Sequence, residues 1–220
     1  MSFSHLNITF PSLNCVETES GRFYETPEGN RYPSVTTVLG YETKDGIEKW
    51  KQRVGKKQAA QILQNSQEIG TALHSLIEEY LDNKPIVTPE NFFVKLCFSN
   101  MKRHLDKINN IHGQEASLYS NILRLAGRTD CIAEYDGVLS VIDFKQSIKP
   151  KKEEWISNYF MQGTAYSFMY EELFGIRIPQ IVILVGVHDG EVQVFRTLRK
   201  KYTAQLVETN KRVQLLMGTL

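Results

Sequence analysis

The stretch GRTDCIAEYDGVLSVIDFK, residues 127–145, holds three side chains suited to hydrolytic chemistry: Asp130, Asp143 and Lys145. Asp136-Gly137 in its middle reads as a two-residue hairpin turn, because both central positions of such a turn need positive φ. Counting outward pairs Tyr135 with Val138 and, at the sixth pair, sets Asp130 opposite Asp143. Residues two apart on a strand share a face, so Lys145 joins both carboxylates. Facing carboxylates destabilise a strand pair unless something compensates. A divalent cation between them is the natural compensation, and hard carboxylate oxygens suit magnesium. Such a cation lowers the pKa of a bound water and neutralises charge developing on a phosphate, which is the chemistry of phosphodiester hydrolysis. An Asp-X-Lys tripeptide alone is a common surface feature. Its weight here comes from the aspartate facing it across apolar strands.

Two helical segments add polar groups. GTALHSLIE (70–78) carries His74 on an amphipathic pattern, a nitrogen donor that also suits manganese. MQGTAY (161–166) sets Gln162 and Tyr166 four apart on one helix face. Each would be ordinary helix decoration by itself.

The elements that must position these groups follow from periodicity. PEGN, within FYETPEGNRYPS, reads as a turn between two short extended pieces. Helical patterning runs from about Gly46 to Leu81 with a break near Gly55, and a second helix is expected from Pro89 to about Ile111, with Phe92, Phe93, Leu96, Met101, Leu105 and Ile108 inward. From Glu115 the period becomes that of strands: SLYSNILRL, RTDCIAEY and VLSVIDFK. A helix from about Lys152 to Phe174 follows, then strands IPQIVILVGV and EVQVFRTL joined at Asp189-Gly190, then a helix from about Tyr202 to Met217. This order predicts an α/β fold with a mixed central sheet. Ile132, Leu139 and Val141 fall on one face and Ala133, Val138, Ile142 and Phe144 on the other, so helices are expected on both sides.

A chain of 220 residues suits one domain. The absence of any apolar run of ~18–20 residues argues against a membrane span, and no signal or transit peptide is visible at the start. The expectation is a soluble, intracellular protein, cytoplasmic or in a phage-infected cell. Cys15, Cys97 and Cys131 are too few for a four-cysteine cluster. The net charge of +1 does not announce a polyanion binder, but Lys44–Lys57 concentrates Lys44, Lys49, Lys51, Arg53, Lys56 and Lys57 against Asp45 and Glu48. Such a patch attracts a polyanion locally, although a solvated helix face has the same composition.

In this order, His74, Asp130, Asp143-X-Lys145 and Gln162-X-X-X-Tyr166 resemble the RecB-type branch of the PD-(D/E)XK nuclease superfamily. Within that branch the likeness is to mitochondrial genome maintenance exonucleases and related phage exonucleases, through PSVTTVL (33–39), KWKQRVGKKQA (49–59), GTALH (70–74) and GRTD…DFK (127–145). It covers roughly residues 31 to 175. Gln146 departs from the pattern, which usually has threonine after the lysine. The resemblance implies a restriction-endonuclease-like core with an N-terminal helical extension. One nuclease domain is expected, with residues 1–112 as hairpin and helical arch and 113–220 as core. It also implies magnesium, with manganese as a substitute, and no iron–sulfur cluster. The metal would be held by His74, Asp130, Asp143 and the Phe144 backbone carbonyl, with Lys145 orienting or deprotonating the water and Gln162 and Tyr166 bracing the site or touching DNA near the scissile phosphate. Lys145 is a poor general base, since nearby carboxylates keep its pKa high. Glu115, just before the first core strand, is either a group just behind the ligands or an ordinary surface glutamate.

The implied substrate is DNA, preferably single-stranded or a flap with a free end, in replication, recombination or repair. Trp50, Arg53, Lys56 and Lys57 would line a passage under the arch, with Arg128 as a further contact. Ser34 and Thr36 would either donate to a phosphate or cap the following helix. Two alternatives stay open: a flap or junction endonuclease, and a DNA-binding recombination accessory protein with an idle centre.

Overall fold

The computed structural model describes residues 2–219, and for Glu42 the backbone alone. A small antiparallel sheet of β1 (Asn14–Thr18), β2 (Gly21–Glu25) and β3 (Arg31–Pro33) opens the chain. Four helices follow: α1 (Val35–Gly40), α2 (Lys44–Val54), α3 (Lys56–Leu81) and α4 (Phe92–Leu105). The main sheet has the spatial order β4 (Ile108–Ser120), β5 (Leu125–Tyr135), β6 (Val138–Ser147), β7 (Gln180–Val187), β8 (Val192–Leu198). Helix α5 (Ser157–Phe174) connects β6 to β7, and α6 (Arg199–Met217) ends the fold. Strands β6 and β7 are parallel while the other neighbours are antiparallel, as a helical crossover between two strands of one sheet requires.

Both sheet faces are buried. Ile132 and Val141 pack with Phe160, Met169 and Leu206 on one side, and Ala133, Ile142 and Phe144 pack with Leu73, Ile77 and Met101 on the other. This is the mixed five-stranded sheet between helices that the order of elements predicts. The β5–β6 register follows the count from the Asp136-Gly137 turn, from Tyr135↔Val138 to Cys131↔Ile142, and both turn residues have positive φ. One step further, the ladder gives way to a side chain: Asp130 Oδ2 accepts from the Phe144 N–H at 2.8 Å.

Several boundaries differ from the sequence expectation. Helix α4 begins after Asn91, not at Pro89, because the Asn91 side chain accepts from the N–H groups of Phe93 and Val94. It stops at Leu105, and Ile108 already belongs to β4. Its buried stripe is Val94, Cys97, Phe98, Met101 and Leu105, leaving Phe92 and Phe93 exposed. SLYSNILRL is not one strand. Residues 121–124 turn the chain, and the Glu172 carboxylate on α5 fixes that turn by accepting from Ser120 Oγ and the Asn121 N–H. A single 3₁₀ turn, Glu153–Trp155, precedes α5, and α6 starts at Arg199 rather than Tyr202. The break at Gly55 stands as expected, with φ 94°. No helix among the described residues is long and apolar enough to cross a membrane.

Candidate active site

Three elements bring ligand-type atoms together. Helix α3 buries Ile69, Leu73, Leu76 and Ile77, the i, i+4, i+7, i+8 stripe of an amphipathic helix, and this packing holds His74 on its flank. His74 Nε2 lies 2.7 Å from the Phe144 carbonyl oxygen. A carbonyl can only accept, so Nε2 carries the hydrogen and the Nδ1 lone pair of the neutral ring is turned inward. Nδ1 is 3.7 Å from Asp130 Oδ2 and 3.9 Å from Glu115 Oε1. Ligand atoms of His74, Glu115 and Asp130 all lie within 4.8 Å of one another. Glu115 arrives through the β4–β5 register, between the pairs Gln114↔Cys131 and Ala116↔Thr129. It is therefore beside the expected ligands rather than behind them. Counting outward from a turn at residues 121–124 would have found it, but that turn is hidden in the apolar run NILRL.

Asp143 is 3% exposed and Lys145 Nζ lies 2.6 Å from its carboxylate. Gln162 Nε2 donates to Asp143 Oδ1 at 3.2 Å, while the buried Oδ2 receives no well-formed hydrogen bond. Lys145 also sits over the Tyr159 ring, 5.3 Å from its centre. Tyr166 is buried on α5 against Gly127 of β5. An added Cβ at Gly127 would stand 2.8 Å from its hydroxyl, so glycine is needed there. The site groups thus split into two sets: His74, Glu115 and Asp130 around one point, and the Asp143–Lys145–Gln162 network beside it.

The electrostatics follow from burial and this crowding. Burial and then the nearby Asp143 push Asp130 up to about 6, against the opposing pull of Lys145 and His74. Burial would lower the His74 pKa, but Glu115 and Asp130 outweigh it and the net shift is upward. Burial likewise opposes the charge on Lys145, yet Asp143 and Asp130 raise its pKa above the ordinary lysine value. Lys145 therefore remains protonated at neutral pH and can orient and neutralise, not abstract a proton. Two carboxylates and an imidazole nitrogen converging on one point, all ligand types that hard or borderline divalent ions accept, fit a divalent cation.

The cluster opens into a cleft of about 730 Å³. One wall is α3 from Gly70 to Glu78 with the β4–β5 edge, and the other is the small sheet, through Cys15, Glu17, Arg22 and Tyr24. This second wall was not foreseen, since β1 (NCVET) carries no strong strand signal. Gln162 and Tyr166 line the floor, and Ser34 and Thr36 line the side. Ser34 is the N-cap of α1: its Oγ accepts from the Thr37 N–H at 2.9 Å and is 2% exposed as a residue, whereas Thr36 is exposed. Arg128 stands at the rim, 60% exposed, with Nε 2.7 Å from Glu115. Trp50, Arg53, Lys56 and Lys57 are not among the residues lining this cleft; they belong to α2 and the start of α3.

Mitochondrial genome maintenance exonuclease 1 of Mus musculus is 30% identical to the chain over 175 residues, 73% of this chain and 51% of the relative. The Homo sapiens protein of that name is 28% identical over 176 residues, with the same shares. The chain is related to nucleases. It spans about half the length of the curated relatives it matches. Among solved structures, a candidate exonuclease from Eubacterium rectale superposes with a TM-score of 0.47 at 13% identity, over 70% of this chain and 68% of that one. No protein-family model matches the sequence.

Proposed function

We propose that the chain is a divalent-metal-dependent deoxyribonuclease, an exonuclease that hydrolyses single-stranded DNA or flaps from a free end in replication, recombination or repair. The observation that carries this reading is the convergence of His74, Glu115 and Asp130 within 4.8 Å at the cleft floor, beside the Asp143–Lys145 pair. His74 through Nδ1, Glu115 and Asp130 would hold magnesium or manganese, with Asp143 and the Phe144 carbonyl close behind. When bound, the metal supplies a water of lowered pKa and neutralises charge on the scissile phosphate. The Phe144 carbonyl keeps the His74 ring turned so that Nδ1 faces the carboxylates. Lys145, protonated and held by Asp143, orients the attacking water and offsets phosphate charge. Gln162 fixes the Asp143 carboxylate, and Tyr166 closes the floor.

We read residues 1–220 as one nuclease domain whose early helices approach the substrate from outside the cleft. There Trp50 would stack a base while Arg53, Lys56 and Lys57 meet phosphates. Arg128 and Thr36 face the cleft and are the nearer phosphate contacts, whereas Ser34 is engaged as a cap. The test is incubation of the full chain with end-labelled linear single strands, flaps and closed single-stranded circles, in Mg²⁺, Mn²⁺ or EDTA. Linear strands and flaps should shorten only with the divalent ion. Circles cut as fast as linear strands would replace the exonuclease with a flap or junction endonuclease. Strand binding without cleavage under any metal would leave only a binding protein.

A further inference from the structure

Arg128 lies two residues before Asp130 on β5 and reaches into the cleft from its rim. Its Nε is 2.7 Å from Glu115 Oε2, while the other oxygen of that carboxylate faces His74 Nδ1 at 3.9 Å. One carboxylate therefore meets an arginine on its outer side and the group of ligand-type atoms on its inner side. The Glu115 backbone, at least, is fixed between them. It holds φ 46° inside a strand, between two ladder pairs, and a non-glycine residue in that region persists only where its surroundings fix it. The side chain is a quarter exposed, so the ion pair with Arg128 is neither buried nor fully screened.

We propose that Glu115 is shared between the metal centre and Arg128, so that a divalent cation entering the cluster loosens Arg128 to grip a backbone phosphate of nucleic acid in the cleft. The proposal rests on the metal-dependent nuclease reading above and adds a coupling that reading does not require. A cation bound at Glu115 draws the carboxylate charge inward and weakens its hold on the guanidinium. The freed planar fork matches two phosphate oxygens by parallel N–H···O bonds. Linkage makes the effect reciprocal: Arg128 competes with the cation for Glu115 until a phosphate takes the arginine away. Arg22 provides the contrast. It lines the same cleft and is paired with Glu17, which is not one of the clustered ligand groups, so it should carry no such coupling.

Two measurements on the full chain, neither of them activity, test this. The first is Mn²⁺ binding without nucleic acid, followed by electron paramagnetic resonance. Arg128→Gln should tighten Mn²⁺ about two- to fivefold, the scale of a partly exposed ion pair, while Arg22→Gln leaves it unchanged. The second is binding of a fluorescent oligothymidylate in EDTA. Glu115→Gln should tighten it about three- to tenfold by releasing Arg128, within the scale of a phosphate contact, and adding Arg128→Gln should remove that gain. An unchanged Mn²⁺ affinity in Arg128→Gln, an equal effect from Arg22→Gln, or a gain that survives in the double variant overturns the coupling. If wild type binds both probes and these outcomes occur, the coupling alone falls. If wild type binds neither Mn²⁺ nor oligothymidylate, the nuclease reading itself falls.

Discussion

Helix α3 is one continuous helix of 26 residues, about 39 Å long, but its two halves live in different surroundings. From Lys56 to Glu68 only Ala59 is buried, and α2 before it buries no described side chain. From Ile69 to Leu81 the helix packs Ile69, Leu73, Leu76, Ile77 and Leu81 against the main sheet. The ligand-type histidine sits in the packed half and the cations of Lys56 and Lys57 in the open one. Metal ligands must be held to fractions of an ångström, which only a close-packed surround supplies. Contacts to a flexible polyanion tolerate looseness, because the attraction is long-ranged and non-directional. Few buried contacts also make the open half the low-stability end of the helix.

The sharpest way to break this division is to disturb chemistry on the packed side. Lys145→Ala should reduce metal-dependent cleavage by about 10³-fold or more, the scale of losing a positioned electrostatic group. It should also lower metal-free stability by about 3 kcal/mol, since Asp143 is left buried without its partner, and added Mn²⁺ should restore part of that loss. Cleavage at the wild-type rate would discard the site. The next effect compares the two halves directly. Leu73, fully buried, should cost about 2–5 kcal/mol as Leu73→Ala. Leu63, 46% exposed on the same helix, should cost under about 0.5 kcal/mol as Leu63→Ala. Similar melting temperatures for the two variants would show that α3 is uniformly docked.

A third effect is pH-dependent and confined to the packed half. Asp130 is raised to about 6, above its unfolded value, so in the metal-free protein its contribution favours the fold at low pH and is lost as pH rises through about 6. Metal needs Asp130 ionised and His74 neutral, and both pKa values are raised, so Mn²⁺ affinity should fall as pH drops from 7 to 5, by about tenfold per unit or more. A flat titration of Mn²⁺ affinity between pH 7 and 5 would remove Asp130 from the ligands. On the open side, Lys56→Glu with Lys57→Glu should weaken single-strand binding by about tenfold or more and flatten its salt dependence. Melting temperature and Mn²⁺ affinity should stay unchanged. Trp50→Ala should cost about 1–3 kcal/mol of strand binding if the indole stacks on a base. No change there would assign Trp50 to packing between α2 and its neighbours.

The sequence by itself determined whatever local geometry could fix. Asp136-Gly137 specifies a tight turn, and a tight turn sets the register that carries Asp130 toward Asp143 and Lys145. The apolar period of α3 determined the helix face that packs and so the flank that bears His74, and the four-residue spacing of Gln162 and Tyr166 brought both to the cleft floor. Tertiary structure alone decided the rest. Glu115 joins His74 and Asp130 only because Glu172, on a helix far along the chain, fixes a turn that apolar residues conceal. The His74 ring is oriented by a carbonyl 70 residues away. The second wall of the cleft needs β1, which carries no strong strand signal and is fixed only by pairing with β2 of the hairpin that PEGN turns. Local patterns encode turns and faces, because those depend on neighbours in sequence. Where a carboxylate or an imidazole finally points depends on long-range contacts that no spacing along the chain records.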